Sequence, residues 1–135
     1  MKIILLSGNP NTGKTSTLNL VYDELISLGG TILTAKSKLG GNQNDFECLL
    51  KFNSKVVAIF SMGDYKYICY EAVAKYSNCD YLVLAYSDKF KNSMSDFLEK
   101  LQHHKVVKKS IASEASDFHS CNTTDMKNII DCINQ

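Results

Sequence analysis

Eight residues near the start of the chain, Gly8-Asn9-Pro10-Asn11-Thr12-Gly13-Lys14-Thr15, combine the types and spacing that hold a polyphosphate. They spell G-x-x-x-x-G-K-T, the P-loop pattern. Gly8 and Gly13 let the backbone curl until successive N–H groups point at phosphate oxygens. Lys14 has the reach for β- and γ-phosphates, and the Thr15 hydroxyl suits Mg²⁺. A helix that opens here adds its positive dipole end and the free N–H groups of its first turn, Ser16 included. The chemistry implied is binding of a nucleoside triphosphate with Mg²⁺, Lys14 being the cation that acts on the transferring phosphate.

Such a loop must join a buried strand to a helix. Residues 1–7 form a short apolar, β-branched run, as a central parallel strand requires. Past Thr15, Leu18, Val21, Leu25 and Leu28 recur on one helical face, and Gly29-Gly30 stops the helix.

The remaining elements alternate. Thr31–Ala35 reads as a short strand, followed by a polar loop over 36–44. Phe46–Phe52 and Lys55–Phe60 read as an antiparallel hairpin turning at Asn53-Ser54. A helix over about 65–76, a buried strand over 80–86, a helix over about 94–101 and a last strand over 105–111 follow. Ser93 and Asp96 are spaced as a capping box for the third of these. A final helix begins near Thr124, with Met126, Ile129, Ile130 and Ile133 inward. The expectation is one α/β domain spanning 1–135, with three layers and a mainly parallel sheet carrying one antiparallel hairpin. The nucleotide belongs beyond the C-terminal strand ends.

Composition narrows the function classes. The chain has 135 residues, 44% of them hydrophobic, and a net charge of +1. That balance argues against a nucleic-acid partner or an anionic membrane surface. No apolar run approaches the roughly 20 residues of a membrane-spanning helix, and the apolar start is too short for a signal peptide. Cys48, Cys69, Cys79, Cys121 and Cys132 are odd in number and lack C-x-x-C spacing, which reads as reduced thiols in a cytoplasmic protein. All 15 basic residues of the Lys+Arg count are lysines. The chain therefore supplies no arginine to a transferring phosphoryl group. Codon bias toward lysine, asparagine and isoleucine accounts for the same fact.

On the P-loop and its flanking elements the chain is identified as resembling the P-loop NTPase superfamily. The wording of 8–15 is most similar to the first motif of translation-factor-type GTPases, such as the GTPase domain of bacterial ferrous-iron transporters. The likeness covers about the first 90 residues and implies the P-loop NTPase fold. It also implies a role for Asn11 in holding a monovalent cation; the alternative is a polar loop residue. Two motifs of that group are absent. Where D-x-x-G would stand, the chain has Phe60-Ser61-Met62-Gly63. Gly63 retains an N–H for a γ-phosphate. Asp64, one residue later, would hold Mg²⁺ or orient a water, or else form a capping box with Ser61. Where N-K-x-D would stand, the chain has Ser87-Asp88-Lys89-Phe90. Asp88 would meet a base, or serve as the Mg²⁺-side acid if its strand lies beside the first; as a bland alternative it is a solvated carboxylate. Guanine selectivity is thus unsupported, and ATP precedes GTP by abundance.

Other residues carry weaker signals. Thr31 and Thr34 are candidates for completing Mg²⁺ coordination. His103, His104, Lys105, Lys108 and Lys109 form a basic stretch that reads as a lysine-guarded edge strand. Tyr65, Tyr67 and Tyr70 lie along one helix, as a contact surface or as ordinary packing. The leading expectation is a small NTP-binding protein, a slow NTPase (hydrolase) or nucleotide-dependent switch, with Lys14 and Asp64 catalytic and Thr15 and Asp64 holding Mg²⁺. An activating protein partner is compatible with the missing arginine. The alternatives are a small-molecule or nucleotide kinase, and a non-catalytic nucleotide sensor.

Overall fold

The computed structural model describes residues 1–9, 12–39, 44–63, 65–87, 89 and 103–135. Six strands form one mixed sheet: β1 (Lys2–Gly8), β2 (Thr31–Lys38), β3 (Phe46–Phe52), β4 (Lys55–Phe60), β5 (Tyr81–Ser87) and β6 (His104–Lys108). Their spatial order is β2-β3-β4-β5-β1-β6. Three α-helices accompany them among the described residues: α1 (Lys14–Ser27), α2 (Lys66–Lys75) and α3 (Phe118–Asn134). A 3-10 turn at Ala115–Asp117 leads into α3.

Parallel pairing is confined to β4-β5-β1-β6, while β2 pairs antiparallel with β3 and β3 antiparallel with β4. The expected hairpin is therefore present, but it is joined by a second antiparallel ladder, β2–β3. Chain length explains this. Only residues 39–45 join β2 to β3, and a parallel crossover needs about a dozen or more. The β3–β4 turn has Asn53 at φ 50° and Ser54 at φ 64°. Two left-handed residues in succession match the twist of a two-residue hairpin.

The burial pattern follows the apolar pattern. β1 and β5 are buried along almost their whole length, as strands covered on both faces must be. On one face α1 and α3 pack through Leu18, Val21, Leu25, Ile129, Ile130 and Ile133. On the other face α2 places Cys69 and Ala72 over Ile3, Leu5, Leu82 and Leu84. The layered expectation holds to that extent. No helix among the described residues is long and apolar enough to cross a membrane.

Four boundaries move, the last strand ending at Lys108 and not at 111. Leu28 is not on the inner face of α1 but follows its last turn, 51% exposed. Gly29 N–H donates to Ile26 O and Gly30 N–H to Leu25 O, with Gly29 at φ +102°. That double bond pattern is a Schellman stop, which releases Leu28 from the helical face. α3 begins six residues before Thr124, because the polar stretch 118–123 lacks apolar periodicity yet finds partners on α1. β2 extends to Lys38 as an exposed edge strand. The helix expected over 94–101, with its Ser93–Asp96 box, lies outside the described residues.

Candidate functional site

The site lies where β1 hands the chain to α1, at the C-terminal edge of the parallel strands. The β1 strand supplies a rigid base: Ser7 and Gly8 are buried between β5 and β6. Past Asn9 the loop closes through Thr12, whose Oγ1 donates to Asn9 O at 2.7 Å. Gly13 forms the N-cap of α1 at φ 93°, left-handed backbone that favours glycine. It has no side chain to cap the first turn, and no acidic residue sits in that turn. The N–H groups there are accordingly disposed toward an external anion.

Lys14 is 7% exposed, and its Nζ bends back over the loop. It donates to Gly8 O at 2.8 Å and Asn9 O at 2.9 Å. The cation therefore sits on the arch from which the loop N–H groups would bind phosphate. Ser16 is exposed on the first turn of α1. Of the expected phosphate-binding set, Gly8, Asn9, Thr12, Gly13, Lys14, Thr15 and Ser16 come together in one turn of chain. Pro10 and Asn11 lie outside the described residues.

The main addition to the sequence reading is Asp45. It is 5% exposed and immediately precedes β3. Thr15 Oγ1 donates to Asp45 Oδ1 at 2.8 Å. Ser61 Oγ donates to the same oxygen at 3.0 Å. Ser61 Oγ in turn accepts from Phe46 N–H at 2.8 Å, and Ser61 N–H donates to Phe46 O. Because β3 runs antiparallel to β4, its first residue meets the last residues of β4 at the P-loop edge. The hairpin thus carries a carboxylate to the place where a carboxylate after β4 was expected. A buried acid against the Thr15 hydroxyl offers hard oxygen ligands of the kind Mg²⁺ takes.

Ser61 is correspondingly diverted. Its hydroxyl serves Phe46 and Asp45, so it does not cap α2, whose N-cap is Tyr65 without a side-chain bond. Asp64 itself lies outside the described residues. Gly63 is at the expected edge and crosses the end of β5, accepting from Ser87 N–H at 3.0 Å. A Cβ there would stand 1.9 Å from Ala85 O, so only glycine permits the crossing. β5 does lie beside β1, the condition under which Asp88 would serve as the Mg²⁺-side acid; Asp88 is outside the described residues.

Several weaker candidates separate. Thr31 pairs with Lys51, at the far end of the hairpin from Asp45, and Thr34 pairs with Leu49 in mid-strand. Neither belongs to the P-loop edge. Tyr65 and Tyr67 are exposed, their ring centroids 6.0 Å apart, whereas Tyr70 packs against the α2 core. His104, Lys105 and Lys108 are exposed on edge strand β6. Lys109 departs from its neighbours: it is buried, and its Nζ lies 2.9 Å from Asp125 Oδ2. None of the five cysteines is in a disulfide. Burial and the low dielectric around Cys48 push its thiol up to about 12, which leaves it an inert packing residue. No cluster of three or more metal-ligating side chains occurs among the described residues.

The signal for Asp45 was available in the sequence: an acid just before the first strand of the expected hairpin stands opposite the end of the second. No protein-family model, curated protein or solved structure gives a significant match to this chain.

Proposed function

We propose that the protein binds a nucleoside triphosphate with Mg²⁺ at the β1–α1 loop and hydrolyses it slowly as a cytoplasmic NTPase or switch, ATP preceding GTP. The observation that carries this reading is the 2.8 Å bond from Thr15 Oγ1 to Asp45 Oδ1 beside a G-x-x-x-x-G-K-T loop. A hydroxyl and a carboxylate from separate elements meet at one point, next to the first turn of a helix. These are the hard oxygen groups that would hold Mg²⁺ beside a nucleotide's phosphates.

In this reading the loop N–H groups and Lys14 neutralise the β- and γ-phosphates. Thr15 and Asp45 would hold Mg²⁺, with Gly63 toward the γ-phosphate. Water attacks the γ-phosphorus, the bond to the β–γ bridging oxygen breaks, and the diphosphate leaves. The chain has no arginine, and an arginine supplied in trans is worth about 10³–10⁵ in rate. Turnover by the chain alone is therefore slow and rises with a protein partner. Helices on both faces of the sheet, with β1 an interior strand between β5 and β6, support this reading.

Thermal shift with ATP, GTP and their diphosphates, with and without Mg²⁺, tests the reading. The expected result is a triphosphate shift that grows with Mg²⁺ and vanishes in Lys14→Ala. An unchanged shift in that variant, or none in the native chain, overturns it.

A further inference from the structure

Both glycines of the phosphate loop are in close contact with one later part of the chain. A Cβ on Gly8 would stand 2.9 Å from Lys109 Cβ, and one on Gly13 would stand 2.8 Å from Asn122 Oδ1. Lys109 directly follows β6, and Asn122 is in the second turn of α3. The first and last glycines of an eight-residue motif are thus both backed by the β6–α3 unit, more than a hundred positions away. Their lack of a side chain serves this approach as well as the curl of the loop.

The contacts are reinforced. Lys109 N–H donates to Ser7 O at 2.7 Å, extending the β1–β6 ladder to the start of the loop. Thr17 Oγ1, which donates to Gly13 O at 2.8 Å, lies 3.2 Å from Asn122 Oδ1. The unit is itself locked. The side chains of Lys109 and Asp125 are each 1% exposed and form an ion pair. Asp125 also accepts from Ser110 N–H at 2.8 Å and Ser110 Oγ at 2.7 Å, and Lys109 Nζ donates to Ser110 O at 3.0 Å. One carboxylate from α3 therefore fastens both residues that follow β6.

We infer that the β6–α3 unit is a brace that sets the shape of the phosphate loop, with Lys109, Asn122 and Asp125 as positioning residues. Lys109 is a cation within reach of the loop that is neutralised from behind, so it acts through Gly8 and Ser7 and leaves the phosphate charge to Lys14. Asn122 seats Gly13 and the first bonded turn of α1. The effect on nucleotide affinity rests on the function proposed above; the effect on loop order does not.

The test uses the full chain and two readouts, amide hydrogen exchange and Mg·ATP affinity. Asn122→Ala and Asp125→Ala are compared with Asp131→Ala, a change of an exposed acid on the same helix. The brace predicts faster exchange at Thr17 and Leu18, by about tenfold, and Mg·ATP binding weaker by about tenfold, with Asp131→Ala unchanged. The paired variant Lys109→Met/Asp125→Asn removes both charges and the Lys109 Nζ–Ser110 O bond but keeps an amide for Ser110, and is expected to lie closer to the native chain than Asp125→Ala in both readouts. Exchange that is unchanged in Asn122→Ala, or that rises evenly through the whole sheet, overturns the brace. If the native chain binds no nucleotide but exchange rises only at the loop, the brace stands and the nucleotide reading falls. If the variants bind and exchange as the native chain does, the reverse holds. Should Asp125→Ala fail to fold, Asn122→Ala decides, since its side chain is only half-buried.

Discussion

On one side of the β1–α1 loop the β3–β4 hairpin brings up Asp45, and on the other the β6–α3 unit brings up Lys109. Each is a charged residue buried to within a few per cent of its surface. The two are treated differently. Asp45 accepts from two neutral hydroxyls, Thr15 and Ser61, and no cationic side chain among the described residues pairs with it. Lys109 is matched by Asp125 at 2.9 Å. A buried charge left with neutral partners is costly to keep unless a counter-ion completes it, whereas a buried pair is already complete. On the proposed reading the hairpin side would meet a cation, whereas the C-terminal pair is already complete.

The comparison can be broken most severely at the ion pair. Lys109→Met alone leaves Asp125 buried without its cation and should cost about 3–5 kcal/mol in urea unfolding, most of it recovered when Asp125→Asn is added. A loss below about 1 kcal/mol for the single change would mean that the pair is not buried in solution. Next in size is Asp45→Asn. Without the negative charge, Mg²⁺ should no longer reinforce nucleotide binding, weakening Mg²⁺ affinity at least about tenfold while the fold persists. Calorimetric titration of Mg²⁺ into the ATP-bound chain measures this, and unaltered Mg²⁺ dependence would remove Asp45 from the site.

Ser61→Ala is milder. It strips one bond from Asp45 and one from Phe46 N–H, for about 1 kcal/mol of stability and a smaller change in Mg²⁺ affinity than Asp45→Asn. An equal or larger loss of Mg²⁺ affinity would make Ser61, not Asp45, the residue that matters. The smallest effect belongs to a buried group in neither flank. The Cys48 thiol is raised from its ordinary 9.0 to about 12 by burial. The unfolded chain ionises first, so this stabilising contribution is complete below pH 9.0 and is lost as pH rises toward 12. Up to about pH 9.5 the loss should stay under about 1 kcal/mol, and Cys48→Ala should remove that part of the slope.

The β1–α1 loop was legible because its determinants are contiguous. Gly8, Gly13, Lys14 and Thr15 act through backbone curl and helix start, which depend on residues a few positions apart. The ranges of β3 and β4 were legible for a similar reason: alternation and a two-residue turn are local. The partner of the Thr15 hydroxyl was not singled out. Reading outward from β4 pointed to Asp64, which lies outside the described residues, and the hairpin also brings Asp45 to that edge from 16 residues before Ser61. Lys109 read as one more lysine of a solvated strand, and nothing near it in sequence announces Asp125.

By itself, then, the amino-acid order determined the loop, the strand and helix that flank it, the apolar faces of α1 and α3, and the absence of arginine. Each follows from spacing, periodicity or composition. Tertiary structure alone decided which carboxylate faces Thr15, which lysine is neutralised, and that both loop glycines are seated by the C-terminal unit. Those outcomes depend on strand order and pairing direction, which are set by how the whole sheet buries its two faces.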